Sequence, residues 1–180
     1  SYLSKEEESL FPQELTIGLE KLYDLRYGEN PHQQAALYSL SAQATGKPSG
    51  LSGAIQLHGK ELSYNNLMDA DGAWMTASDF TEPAVAVIKH TNPCGLAIHK
   101  DPAEAYRRAF AGDPVSAYGG IVAFNCRVTI EAATAMSSVF YEVVVAPDYD
   151  PEALDMLKKK RNLRILATAL NNTGTTTLET

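Results

Sequence analysis

Three short stretches of the chain concentrate side chains able to bind anions or move protons. The first is Lys89-His90-Thr91-Asn92-Pro93-Cys94-Gly95, directly after an apolar run. It sets an ammonium beside an imidazole, so a cation and a proton acceptor lie within reach of one ligand. Like-charge repulsion from Lys89 favours the neutral ring that a general base requires. The competing reading makes Lys89 a solvated strand end and His90 a hydrogen-bonded structural residue, and spacing alone favours it. The second stretch is Leu25-Arg26-Tyr27-Gly28-Glu29-Asn30-Pro31-His32-Gln33. Arg26 offers a planar fork for a phosphate or carboxylate, and Tyr27 a ring to stack or a hydroxyl to donate. Turn chemistry explains Gly28, Asn30 and Pro31 but not Arg26, Tyr27, His32 and Gln33 together, so both readings stay open. The third is Gly112-Asp113-Pro114-Val115-Ser116-Ala117-Tyr118-Gly119-Gly120. Its glycines would let backbone amides approach an anion, yet the spacing is neither a Walker loop nor a dinucleotide fingerprint, and an ordinary turn is the stronger reading.

Pro93-Cys94 also matches half of a zinc-deaminase signature. That chemistry requires His-x-Glu with Pro-Cys-x-x-Cys, so that three ligands hold the metal and a Glu shuttles protons. Here Gly95, Leu96 and Ala97 follow Cys94, and none of His32, His58, His90 or His99 has a Glu two residues on. No metal is expected in this segment.

The elements that must position these residues follow from periodicity. Leu15, Ile17 and Leu19 alternate with Thr16 and Gly18, predicting a strand that runs into a turn at Gly28, Asn30 and Pro31. Gln34 to Leu40 resumes an extended pattern, Ser41 to Ser52 reads as a loop, and Ala54 to Leu57 as a short strand. Leu67, Met68, Ala70, Ala73, Trp74 and Ala77 fall on helical spacing, with Asn65 or Asn66 able to cap. Ala84 to Ile88 is a strand buried on both faces, bounded by Pro83 and Pro93. A second helix runs from Asp101-Pro102 to Gly112, and a third, capped by Thr129, from Ile130 to about Tyr141. A fourth spans Pro151 to Arg161. Strands are predicted at Ile121 to Phe124, Val143 to Ala146 and Leu163 to Leu166. Such alternation predicts an α/β fold with helices on a mixed, mostly parallel sheet, plus an extra N-terminal strand region that adds antiparallel strands. In such sheets ligands collect where strands end.

Composition narrows the function classes. A length of 180 residues fits one domain, and a hydrophobic fraction of 44% is ordinary for a soluble globular chain. Lys+Arg 15 against Asp+Glu 22 leaves a net charge of −7, which argues against a general nucleic-acid binder. The basic run Lys158 to Arg161 fits the negative end of a helix dipole instead. The longest apolar runs are far short of a bilayer span, and the first residues lack a signal pattern, so neither membrane nor secretion is expected. Cys94 and Cys126 stand outside any disulfide framework and read as reduced, pointing to a cytoplasmic protein. The tail from Ala167 to Thr180 has no apolar period and reads as poorly ordered or truncated.

Taken in order, Arg26 to Gln33, Ser63-Tyr64-Asn65-Asn66-Leu67-Met68-Asp69-Ala70, Lys89 to Gly95 and Asp113 to Gly120 resemble the AICAR transformylase part of the bifunctional purine-biosynthesis enzyme family. The resemblance covers roughly residues 13 to 166. It implies a cytidine-deaminase-like three-layer fold, with 1–166 as its first half and 167–180 as a tail. It also implies formyl transfer from 10-formyltetrahydrofolate to the 5-amino group of AICAR, giving FAICAR, which a cyclohydrolase closes to IMP. Lys89 and His90 match what looks like the family's catalytic pair. Arg26, Tyr27, Gly119 and Glu142 resemble nucleotide-contacting residues, and Asn66 is a further contact. The expected partners are the AICAR nucleotide, the folate cosubstrate, the remainder of the transformylase domain and a second subunit in a homodimer. The rest of that enzyme does not lie in these residues, so the chain is expected to be a fragment with negligible turnover alone. The alternative is a non-catalytic α/β nucleotide-binding or interaction module with a structural Lys89-His90 pair.

Overall fold

A computed structural model describes residues 13–40 and 50–168; most of the predicted loop from 41 and almost all of the predicted tail lie outside them. Two strands, β1 (Leu19–Asp24) and β2 (Ala36–Leu40), form a small antiparallel ribbon. A 3-10 turn at Gly50–Gly53 leads into β3 (Ile55–His58), and helix α1 (Tyr64–Ser78) follows. Next come β4 (Ala84–Lys89), β5 (Asn92–Ile98), α2 (Pro102–Gly112) and a four-residue α3 (Pro114–Ala117). The chain closes with β6 (Ile121–Phe124), α4 (Ile130–Met136), β7 (Val143–Ala146), α5 (Pro151–Lys158) and β8 (Arg164–Ala167). Six strands make one sheet in the order β3-β8-β7-β6-β4-β5.

The pleat divides the core into two layers. Successive strand residues point to opposite faces, so Val85, Val87, Val144 and Ile165 pack against Ala105, Tyr106, Ala132, Met136 and Leu157 of α2, α4 and α5. Ala86, Ile88, Val143, Val145 and Leu166 turn the other way, onto Leu67, Ala70, Ala73, Trp74 and Ala77 of α1. The result is three layers, helix on sheet on helices, as the apolar runs predict. Every residue of β6 and β7 is buried, as is β4 up to Ile88.

The sheet is mixed but not mostly parallel. Among the described strands the parallel pairings are β6–β7 and β7–β8, whereas β4 is antiparallel to both its neighbours and β3 is antiparallel to β8. The cause is a strand the periodicity missed: β5 returns along β4 after a two-residue turn. Pro93 looked like a breaker, but it sits at the start of this edge strand, opposite Ile88, where the register slips between Val87 and Ile88, and bulges and edge strands are where proline is tolerated. Gly95 then lets β5 lie on α2, since a Cβ there would come 1.9 Å from the Ala109 carbonyl oxygen.

Other boundaries shift for local reasons. The first strand begins at Leu19 rather than Leu15, because its ladder starts at the Leu19–Leu40 pair and any partners beyond Leu40 are outside the described residues. Ser63, not Asn65 or Asn66, caps α1, through a capping box with Asn66. Helix α4 stops at Met136, well before Tyr141, where the Lys160 ammonium donates to the Met136 and Val139 carbonyls at 3.3 and 2.6 Å. Helix α5 stops at Lys158, not Arg161. Thr129 caps α4 as expected, and Asp101, where the second helix was predicted to start, caps α2. No helix among the described residues is long and apolar enough to cross a membrane.

Candidate active site

A cleft of about 490 Å³ opens between the start of α1, the β4–β5 turn, the loop before β6 and the loop after β1. Six of the seven predicted site residues line it: Tyr27, Asn66, Lys89, His90, Gly119 and Glu142. Arg26 is exposed just outside, its guanidinium 5.5 Å from the Tyr27 ring centroid. Stretches that are 115 residues apart at their extremes, from Tyr27 to Glu142, thus meet at one place.

Each wall is held by identifiable bonds. The Arg26-Tyr27 segment is laced to the head of α1: the Arg26 N–H donates to the Leu62 carbonyl at 3.0 Å and the Tyr64 N–H to the Tyr27 carbonyl at 3.1 Å. The Asn65 side chain adds a bond to the Glu29 carbonyl at 3.1 Å. The neighbouring Asn30 to Gln33 is turn chemistry, with Gln33 accepting from the Asn30 N–H, so this stretch divides between site and scaffold.

Asn66 does two things at once. Its oxygen completes the cap of α1, and its amide nitrogen donates to Glu142 Oε2 at 2.8 Å. The same carboxylate oxygen lies 3.6 Å from the guanidinium of Arg164, whose Nε donates to the Glu61 carbonyl. Arg164 is buried, and burial pulls its guanidinium below the usual value, with Glu142 opposing and Arg26 reinforcing the shift. An Asn66–Glu142–Arg164 bridge thus joins helix to sheet behind the two cleft residues Asn66 and Glu142.

The Lys89 ammonium donates to the Tyr118 carbonyl at 2.9 Å, which ties the end of β4 to the loop that carries Gly119. Gly119 has φ +76, a left-handed conformation that favours glycine, and its N–H donates to the Phe140 carbonyl. Asp113 in the same stretch serves locally: it caps α3 and binds the Ser116 hydroxyl, and those bonds hold its carboxyl below the usual range.

His90 and Thr91 form the two-residue turn of the β4–β5 hairpin, with φ of +52 and +58. Left-handed backbone costs an L-residue roughly 1–2 kcal/mol, more for a β-branched one, and such turns ordinarily take Asn-Gly. Here a carboxylate from α1 compensates. Asp69 accepts from the His90 N–H at 3.0 Å and from the Thr91 N–H at 2.8 Å. Ser63, Asn65, Met68, Asp69 and Thr91 also line the cleft, and sequence reasoning assigned none of them a role in the site. A signal existed: Asn66 and Asp69 stand three apart on α1, hence on one helical face. Cys94 is not part of the lining, and burial raises its thiol pKa. Among the described residues no His, Cys, Asp and Glu cluster could hold a metal ion.

Comparison with known proteins places this cleft in context. The AICARFT/IMPCHase bienzyme family matches residues 1–180. The chain belongs to that family. It is 55% identical over 159 residues to the bifunctional purine biosynthesis protein purH of Dictyostelium discoideum, covering 87% of this chain and 28% of that protein. The corresponding proteins of Desulfitobacterium hafniense and Bacillus mycoides are 52% and 48% identical, over 89% and 92% of this chain and 30% and 32% of theirs. This AICARFT/IMPCHase chain thus spans about three-tenths of the length of these relatives, and the matched region contains every residue of the cleft.

Proposed function

We propose that the cleft is the acceptor side of a formyl-transfer site in purine biosynthesis, where the 5-amino group of AICAR takes a formyl group from 10-formyltetrahydrofolate to give FAICAR. The observation that carries this reading is the convergence of Lys89 and His90 on one cleft with Tyr27, Asn66, Gly119 and Glu142. The names of the relatives, all purine biosynthesis proteins, support the pathway.

The acceptor amine is a poor nucleophile because its lone pair is drawn into the imidazole ring and carboxamide. A base at hand removes its proton as nitrogen attacks the formyl carbon, and His90 serves as that base in this reading. The tetrahedral intermediate carries an oxyanion, which the Lys89 ammonium stabilises while the proton passes to the departing N10 of the folate. A new carbon–nitrogen bond forms to the acceptor, the bond to N10 breaks, and one proton moves from amine to folate. Tyr27 offers a ring to stack on the heterocycle, and the Glu142–Asn66 pair offers an acceptor and an amide for its polar edge. Arg26, at the mouth, is suited to the phosphate or the carboxamide.

The described residues form the first deaminase-like half of a transformylase domain in this reading. The remaining relatives' length supplies the folate side, a second subunit completes the site in a homodimer, and the protein works in the cytoplasm. The test uses the full-length protein. Lys89→Ala and His90→Ala are each expected to lower kcat for formyl transfer by 10²–10⁴-fold with the fold intact by circular dichroism. Wild-type turnover in both variants leaves a non-catalytic binding module as the reading.

A further inference from the structure

The β4–β5 turn requires an explanation that the formyl-transfer chemistry does not contain. Two consecutive non-glycine residues, one β-branched, occupy the left-handed region, and one of them is the proposed base. Inside the turn the His90 carbonyl already accepts from Thr91 Oγ1 at 2.7 Å and from Asn92 Nδ2 at 2.8 Å. The two turn amides have their side-chain partner elsewhere, on another element: Oδ2 and Oδ1 of Asp69 take one each. Asp69 stands at the sixth position of α1, beyond the first turn, so capping its own helix does not account for it. Asp is also a poor helix former, which makes its placement there a cost to α1 unless the carboxylate acts outward.

We infer that Asp69 is a positioning residue for the proposed reaction, a carboxylate that grips both amides of the left-handed turn and thereby fixes His90 and Lys89 toward the cleft. The inference rests on the formyl-transfer reading. A charged acceptor makes the stronger kind of amide bond, and two such bonds to adjacent residues fix both position and rotation of the turn. Without them the turn relaxes toward ordinary backbone angles, and the imidazole leaves the line of the acceptor amine.

The test compares four variants of the full-length protein. Asp69→Ala is expected to lower kcat about 100-fold with KM for AICAR within about threefold, the pattern of a misplaced base. Adding Thr91→Gly to Asp69→Ala is expected to restore at least tenfold, because glycine holds the left-handed turn without a clamp. Asp69→Asn, which keeps one acceptor, is expected near a tenfold loss and carries the test if Asp69→Ala fails to fold. Amide exchange at His90 and Thr91 is expected to quicken at least tenfold in Asp69→Ala. Wild-type kcat in Asp69→Ala, absence of rescue by Thr91→Gly, or unchanged exchange overturns the inference. His90→Ala, the fourth variant, separates the two readings. Wild-type turnover in His90→Ala overturns the base role on which the inference rests, whereas loss in His90→Ala beside normal turnover in Asp69→Ala overturns the positioning role alone.

Discussion

Strand β4 crosses from one kind of structure to another within three residues. From Ala84 to Ile88 it is buried on both faces, its β-branched side chains suit a strand, and each layer of the core accepts alternate residues. At His90 and Thr91 the backbone turns left-handed with side chains that ordinarily avoid it, and a carboxylate from another layer holds it there. In the first region local preference and global packing agree. In the second they conflict, and the conflict falls on a residue proposed to act as the base, as strain at functional sites commonly does.

That contrast can be broken or sharpened by measurement. The largest effect belongs to the core: Trp74→Ala, which empties a fully buried site under the sheet, is expected to cost about 3–5 kcal/mol in urea unfolding of the full-length protein. His90→Ala is expected to leave the same midpoint within about 0.5 kcal/mol, as for substitutions at exposed positions. Equal losses in the two variants would erase the distinction. Next comes Gly95→Ala, where the added carbon meets a backbone carbonyl of α2 rather than a yielding side chain, with an expected cost of about 2–3 kcal/mol. Gly119→Ala has room for its methyl group and suffers only from φ +76, so about 1–2 kcal/mol is expected, together with weaker AICAR binding by calorimetry. The smallest change in structure is read by alkylation of the cysteines at pH 8. Burial pushes the Cys126 thiol up to about 11, so its thiolate fraction is about a hundredfold or more below that of an unperturbed thiol. Its rate is expected to climb tenfold per pH unit until about pH 11. Cys94, on β5 behind the turn, is raised too and is expected to react faster than Cys126.

What the sequence disclosed follows the same division. Helix α2 was legible because Asp101, Pro102 and the apolar spacing of Ala105, Tyr106 and Ala109 all name one element, and β7 because Val143 to Ala146 leave no other choice. Five cleft residues were legible through motif order, and Glu142 through the family resemblance alone. Strand β5 was not, since Pro93 and Gly95 contradict a strand locally and only contact with α2 and β4 explains them. With β5 unseen, the antiparallel half of the sheet was invisible as well. Arg164 was hidden for a similar reason: nothing near it in the chain foretells the Glu142 carboxylate that it meets across the fold.

The tight seat of Gly95 on α2 has a consequence for how this cleft could change over evolutionary time. The rear of the hairpin admits no added bulk, so variants that reshape the cleft opening are confined to the front, to α1 and the loop after β1. A lineage could widen or narrow the cleft there while Lys89 and His90 stay where they are.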